Sequence, residues 1–217
     1  MSIKKIFSLA ASIIKSFIVI FLFILNSNAE ENNIKQFSED EGVLSIMYHR
    51  FDENKYPSTN IQMDIFMKHI KLIENLGYEF IHPNEFQKNF SIPKNKKKIL
   101  LTIDDAFKSF YDVAWPYLKK NKIPFILFVS TEPIGNNGYM TWDQIKEVNN
   151  EKFGVIGHHS HSHEYLIDKS NKDFINDIET ASSIFKKELG YVPELFSYPF
   201  GEYSEFMRNY ISNNFTF

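Results

Sequence analysis

Short apolar runs alternate with amphipathic segments along most of this chain. The apolar runs predict buried strands at residues 43–48, 78–81, 99–103, 125–129, 153–157 and 195–198. Segments with an apolar residue at every third or fourth position predict helices at residues 62–76, 107–121, 142–148 and 171–189, with another helix beginning near Ser204. Gly77 ends the helix at residues 62–76, and Gly190 ends the helix at residues 171–189. Pro116 is expected to kink or split the helix at residues 107–121. Strands that alternate with helices indicate parallel βαβ units and hence an α/β fold.

Polar residues that carry chemistry follow several of the predicted strands. His49 follows the first strand, Asp104 and Asp105 follow strand 99–103, and a group of histidines follows strand 153–157. Pro199 and Phe200 come directly after the last strand. The carboxyl ends of parallel strands meet at one edge of a sheet, which is where α/β proteins place their reactive groups. The sequence therefore predicts one functional site at this edge.

The histidine group is the densest chemical signal in the chain. Four of the seven histidines lie within residues 158–163. A single histidine here would indicate a solvated polar loop, whereas four together favour a transition-metal site. One helical turn would bring His159 and His163 to the same face, and an extended segment would instead pair His159 with His161.

The adjacent carboxylates of Asp104 and Asp105 need a compensating charge if both are buried at a strand end. A divalent cation supplies it, with one carboxylate binding the ion beside two imidazoles and the other acting as general base. The competing interpretation is a pair of N-capping residues before the helix that begins near Phe107.

Composition narrows the function classes. The chain has no cysteine, which excludes thiolate ligands, disulfides and cysteine nucleophiles. The net charge of -3 argues against a nucleic-acid partner, and the basic run at residues 94–98 is interpreted as a solvated loop.

The N-terminal region predicts export. Lysines precede an unbroken apolar run at residues 17–25, and a small-x-small ending reaches Ala29. We interpret residues 1–29 as a signal peptide or an uncleaved membrane anchor, residues 30–41 as a flexible lead-in, and residues 42–217 as the functional domain. The expected location is the periplasm, the cell envelope or the medium, and membrane contact is expected only through an uncleaved anchor.

Four segments together resemble the polysaccharide deacetylases of the nodulation-deacetylase type, also called carbohydrate esterase family four. These segments are TIDDA at residues 102–106, HSHSH at 159–163, FSYPFG at 196–201 and MYH at 47–49, the last resembling the opening strand of poly-N-acetylglucosamine deacetylases. The resemblance covers the chain from about Val43 onward and implies a distorted (β/α) barrel of mainly parallel strands. It also implies a hydrolase that removes N-acetyl groups from an N-acetylglucosamine-containing polysaccharide.

The resemblance implies a role for each matching residue. Asp105, His159 and His163 would hold a divalent metal ion, with zinc the expected one, and Asp104 would be the general base for the attacking water. The backbone N–H near Phe200 would stabilise the oxyanion, and His49 would lie on the substrate side. Tyr48, Trp142 and Phe200 are candidates for a sugar-binding surface, with core packing as the competing role of each.

The chain departs from the family pattern at three places. Ala106 replaces the usual glycine, and Ser197 stands where an arginine often orients the catalytic aspartate. The family's general acid, a histidine in a Leu-x-His motif on a later strand, has no counterpart before Phe217, so we expect the barrel to be truncated at its C-terminus, with His49 or His161 as candidate acids. The alternatives are an O-acetyl esterase and a catalytically weak carbohydrate-binding or metal-binding protein of the same fold.

Overall fold

A computed structural model of the protein describes residues 42–86 and 97–216. The predicted signal or anchor at residues 1–29 and the lead-in at residues 30–41 lie outside these ranges, as does most of the basic run. None of the helices within these ranges has the length and apolar character that crossing a membrane requires.

Parallel strands form the centre of the fold. The strands are β1 (Val43–Tyr48), β2 (Arg50–Phe51), β3 (Asn60–Ile61), β4 (Glu79–Phe80), β5 (Lys98–Ile103), β6 (Phe125–Val129) and β7 (Gly154–His158). One sheet has the order β1-β5-β6-β7, with β4 also paired to β5, and every pairing in it is parallel. Strands β2 and β3 form a separate parallel pair that the sequence pattern did not predict, because neither strand lies in an apolar run.

Five α-helices connect and cover the strands in the described part of the chain. They are α1 (Met63–Asn75), α2 (Trp115–Asn121), α3 (Trp142–Asn149), α4 (Asn171–Leu189) and α5 (Glu205–Asn214). Thr141, Ser170 and Ser204 each accept a backbone N–H at the start of a helix, and Gly190 ends α4 with a φ of 85°. Pro116 does not split the predicted helix, which instead widens into a π-helical turn over Phe110–Ala114 directly before α2.

Two predicted strands differ from the structure. Strand β1 is not buried: Leu44 and Met47 are exposed, because among the described strands β1 pairs only with β5. Residues 195–198 form only an isolated bridge from Phe196 to His158. Pro199 lacks an N–H, and Phe200 has a φ of 60°, so the chain turns away before a ladder develops.

The core fixes the position of the sheet's carboxyl edge. Its main cluster includes Leu101 and Ile103 of β5, Leu127 and Val129 of β6, and Phe185 of α4. Strand β7 lies against β6 at Gly157, where an added Cβ would come within 2.3 Å of the Phe128 ring. This close approach holds the start of the histidine segment beside β6.

Candidate metal centre

Three potential ligand atoms converge where β5 and β7 end. Asp105, His159 and His163 each offer one atom, and all three atoms lie within 4.8 Å of one another. The Asp105 Oδ1 atom is 3.0 Å from Nε2 of His163 and 3.6 Å from Nε2 of His159. One carboxylate and two imidazoles around a common point form a donor set suited to a divalent transition metal.

Hydrogen bonding sets the tautomer of His159. Its Nδ1 lies 2.8 Å from the Ser197 carbonyl, which can only accept, so this nitrogen carries the hydrogen. Burial lowers the pKa of His159 to about 4, which keeps the ring neutral near pH 7. The lone pair of Nε2 therefore points toward Asp105, as a metal ligand requires.

The buried carboxylate of Asp105 is stabilised by the positive charge of nearby histidines rather than by hydrogen bonds to its Oδ1. Within the described ranges, no donor reaches its Oδ1 with hydrogen-bond geometry. Burial acts to raise the pKa of Asp105, but contact with His163 and the charges of the nearby histidines lower it overall. Burial likewise acts to lower the pKa of His163, and Asp105 raises it overall. A buried, ionised carboxylate facing two imidazoles fits a bound cation.

Asp104 occupies a different environment from its neighbour. Its side chain is buried, and its Oδ1 also has no hydrogen-bond partner among the described residues. Burial, together with the negative charge of Asp105, raises its pKa to about 7. Asp104 and Ser197 line the same cavity of about 260 Å³, so the serine that replaces the family's usual arginine lies near the predicted base.

Strained backbone surrounds these side chains. Residues 104–106, here called the aspartate turn, include Asp105 at a φ of 71° and Ala106 at 53°. Residues 159–163, here called the histidine loop, include Ser160 at 70° and His163 at 54°. Such angles are uncommon for residues with a Cβ and cluster at functional sites. The helical turn considered for His159 and His163 is wrong, because left-handed residues within a loop bring the two rings together.

The other predicted site residues lie around this centre. His49 is near enough for the charges of Asp105 and His163 to act on it, and burial is the main reason its pKa is lowered. The Phe200 ring lies 4.9 Å from the His163 ring. His161 is held by Thr131, whose Oγ1 lies 2.8 Å from its Nδ1.

The candidate sugar-binding aromatics separate into two groups. Tyr48 packs edge-on against Phe66, and Trp142 packs against Phe185. Phe200 instead remains 50% exposed.

Comparison with known proteins identifies the family. The sequence profile described as polysaccharide deacetylase matches residues 91–214, which is more than half of the chain. The chain belongs to the polysaccharide deacetylase family. This confirms the resemblance proposed from the four sequence segments.

Individual relatives agree with the family assignment. A putative polysaccharide deacetylase of Bacillus subtilis is 26% identical over 74% of this chain, which spans 57% of that relative's length. A poly-beta-1,6-N-acetyl-D-glucosamine N-deacetylase of Staphylococcus aureus is 24% identical over 81% of this chain and 70% of its own. The structure of IcaB from Ammonifex degensii superposes with a TM-score of 0.71 at 26% identity, covering 81% of each chain.

These findings confirm the α/β fold of mainly parallel strands with a barrel-type arrangement, although the described strands do not close into a ring. They also confirm, at the level of the family, a hydrolase acting on carbon–nitrogen bonds other than peptide bonds. Metal dependence is general in polysaccharide deacetylases, and the Asp105, His159 and His163 group of this chain could hold a metal ion.

The residue that shapes the histidine loop was not predicted from the sequence. Asp177 of α4 accepts the backbone N–H groups of His161, at 2.7 Å, and Ser162, at 3.0 Å. Inside the loop, the Ser160 hydroxyl accepts the His163 N–H at 3.1 Å. Asp177 lies on the polar side of an amphipathic helix, where its only sequence signal is that of a solvated carboxylate.

Proposed function

We propose that this protein is a metal-dependent hydrolase that removes N-acetyl groups from an N-acetylglucosamine-containing polysaccharide. The convergence of Asp105, His159 and His163 beside the buried Asp104 carries the proposal. The match to the polysaccharide deacetylase family supports the reaction class. The similarity to a poly-beta-1,6-N-acetyl-D-glucosamine N-deacetylase supports the proposed substrate class.

Asp105, His159 and His163 would hold the cation, with zinc preferred because two imidazoles and one carboxylate suit it. Such an ion would acidify a water molecule and polarise the acetamide carbonyl. The fit rests on Asp105 Oδ1, which no donor of the described residues reaches with hydrogen-bond geometry, and on the Nε2 lone pair that Ser197 imposes on His159.

Asp104 is the proposed general base. It lies next to the ligand Asp105 in sequence, and its buried Oδ1 has no competing donor in the described part of the chain. A pKa of about 7 suits a group that takes up a proton near neutral pH, and a bound cation would favour the ionised form that accepts it. The Phe200 backbone N–H and His49 are proposed to contact the acetamide on the substrate side.

We also propose that the protein is exported through its N-terminal segment. The lysines before residues 17–25 and the small-residue ending at Ala29 support this.

Acetate release is the direct test of this function. Purified protein is incubated with β-1,6-linked N-acetylglucosamine oligomers, chitin oligomers and peptidoglycan glycan strands, each with and without a chelator. We expect acetate from at least one glycan, loss of release with chelator, and recovery on adding zinc. Release only from an O-acetylated polymer such as acetylated xylan would contradict the proposed amide substrate.

A further inference from the structure

Two exposed aromatic rings stack on each other beside the candidate metal centre. The ring centroids of Tyr165 and Phe200 lie 3.9 Å apart, and the ring planes differ by only 5°. Each side chain is 50% exposed. Each ring covers one face of the other, and both residues still expose half of their surface. We call these two residues the aromatic pair.

The backbone on both sides of the aromatic pair is held in place. Tyr165 lies between His163 and Leu166, and Leu166 is buried in the cluster that also contains Phe174 and Ile178. On the other side, Pro199 is buried, and the Gly201 N–H donates to the Tyr198 carbonyl to close the turn around Phe200. The exposed rings therefore do not depend on a mobile loop for their position.

Phe200 adopts an uncommon conformation that presents its ring to solvent. Its φ is 60° and its ψ is 3°, a left-handed geometry that a bulky residue rarely occupies. Burial in the core does not explain this strain, because half of the side chain is exposed. The same turn brings the Phe200 ring to 4.9 Å from the ring of His163, so the aromatic pair is continuous with the metal centre.

We propose that the aromatic pair binds a pyranose ring of the substrate glycan, next to the sugar whose acetamide enters the metal centre. This inference rests on the proposed function. A pyranose presents a face of C–H groups that packs well against a flat aromatic surface, and its hydroxyls remain available to polar groups. The Tyr165 hydroxyl has no hydrogen-bond partner among the described residues, so it can form a hydrogen bond with a hydroxyl of the sugar.

Two matched variants test whether the aromatic pair binds the sugar. Tyr165→Ala removes one ring of the pair, whereas Tyr203→Ala removes a ring that is 51% exposed but stacks on Tyr198 instead. For a β-1,6-linked N-acetylglucosamine tetramer, we expect Tyr165→Ala to raise KM about tenfold, the size of a typical aromatic binding contact, with kcat changed less than about twofold. Tyr203→Ala should leave KM within about twofold, and Tyr165→Phe should restore most of the affinity because it keeps the ring.

Binding measured without turnover separates sugar binding by the aromatic pair from the chemical step. Calorimetry of the tetramer with zinc-loaded Asp104→Asn protein should show that adding the Tyr165→Ala substitution lowers the binding affinity about tenfold. Wild-type KM and unchanged calorimetric affinity in Tyr165→Ala would overturn the role of the aromatic pair while leaving the proposed function intact. Equal losses of affinity in Tyr165→Ala and Tyr203→Ala would do the same. If wild-type protein releases acetate from none of the glycans, the proposed function fails, and the role of the aromatic pair fails with it.

Discussion

The aspartate turn and the histidine loop, which would together hold the proposed ion, are stabilised by different contacts. The histidine loop has its backbone secured by the protein: Asp177 accepts two of its N–H groups, and the Ser130 hydroxyl donates to the His159 carbonyl at 2.6 Å. In the aspartate turn, Asp104 and Asp105 each keep a buried oxygen without a hydrogen-bond donor in the described ranges. The histidine loop can thus take its shape before any ion binds. In the aspartate turn the histidines compensate the charge of Asp105 only in part, and a bound cation would supply the rest.

The largest expected effect comes from removing the charge of the aspartate turn at the proposed base. Asp104→Asn keeps the size of the side chain but cannot accept the proton from water. We expect kcat for acetate release to fall by about 10²–10⁴-fold, the usual contribution of a general base. The measurement is steady-state acetate release by the zinc-loaded variant. Wild-type kcat would remove Asp104 as the base.

The same substitution should stabilise the metal-free protein. The pKa of Asp104 rises from 3.8 to about 7 on folding, so between these values the folded state binds more protons than the unfolded state. Its stability therefore falls as pH rises through this window, by an amount on the order of 4 kcal/mol. In chelator-treated protein, the gain in unfolding free energy from Asp104→Asn should be greater at pH 8 than at pH 5 by about 3 kcal/mol.

Urea unfolding at the two pH values measures this difference. Asp168→Asn serves as the control, because it removes an exposed carboxylate and should change stability by less than about 0.5 kcal/mol at either pH. An Asp104→Asn variant less stable than wild type at pH 8 would mean that the buried carboxylate is compensated by the protein itself.

A smaller effect is expected where the histidine loop is secured. Asp177→Asn replaces one acceptor oxygen by an amide nitrogen that cannot accept the loop's N–H groups. The loop would hold His163 less firmly, and zinc affinity should fall about 10–100-fold, as for other groups that orient metal ligands. Competition with a chelating dye measures this affinity. The exposed Asp173→Asn, four residues away on α4, should leave it within about twofold; equal losses in the two variants would contradict the role of Asp177.

The smallest expected effect is at Ser130. Ser130→Ala removes one hydroxyl donor to the His159 carbonyl and should cost about 1 kcal/mol of unfolding free energy. Zinc affinity should change by less than about threefold, because Asp177 still holds the loop. A thermal or urea unfolding curve, combined with the same dye competition, checks both expectations. Zinc affinity that falls as far as in Asp177→Asn would show that the loop depends equally on both contacts.

The sequence predicted much of the fold because its signals there are local. The bounds of α4 and β6 follow from periodicity and from stop signals such as Gly190. Strand ends also predicted which elements deliver Asp105 and His163. The exposure of β1 and the single bridge at Phe196 depend on long-range pairing, which a local apolar pattern does not report.

The chemistry of the candidate site was predicted better than the backbone conformation and the contacts that position its residues. Residue type and spacing indicated a metal site, and the resemblance to the deacetylases implied the ligand trio. The left-handed residues at Ser160 and His163 could not be deduced from a loop without glycine. Asp177 and Tyr165 were missed for a related reason. Each resembles an ordinary exposed residue until the fold brings it to the histidine loop or to Phe200.

Metal content measured on purified protein tests the central claim most directly. Protein dialysed against zinc and then against metal-free buffer is analysed by mass spectrometry for bound ions, beside His159→Ala, His163→Ala and a His82→Ala control outside the centre. Wild type and His82→Ala should each retain about one zinc ion per chain, and the other two variants should retain almost none. Full zinc retention in His163→Ala, or none in wild type, would contradict the assignment of Asp105, His159 and His163 as the metal centre.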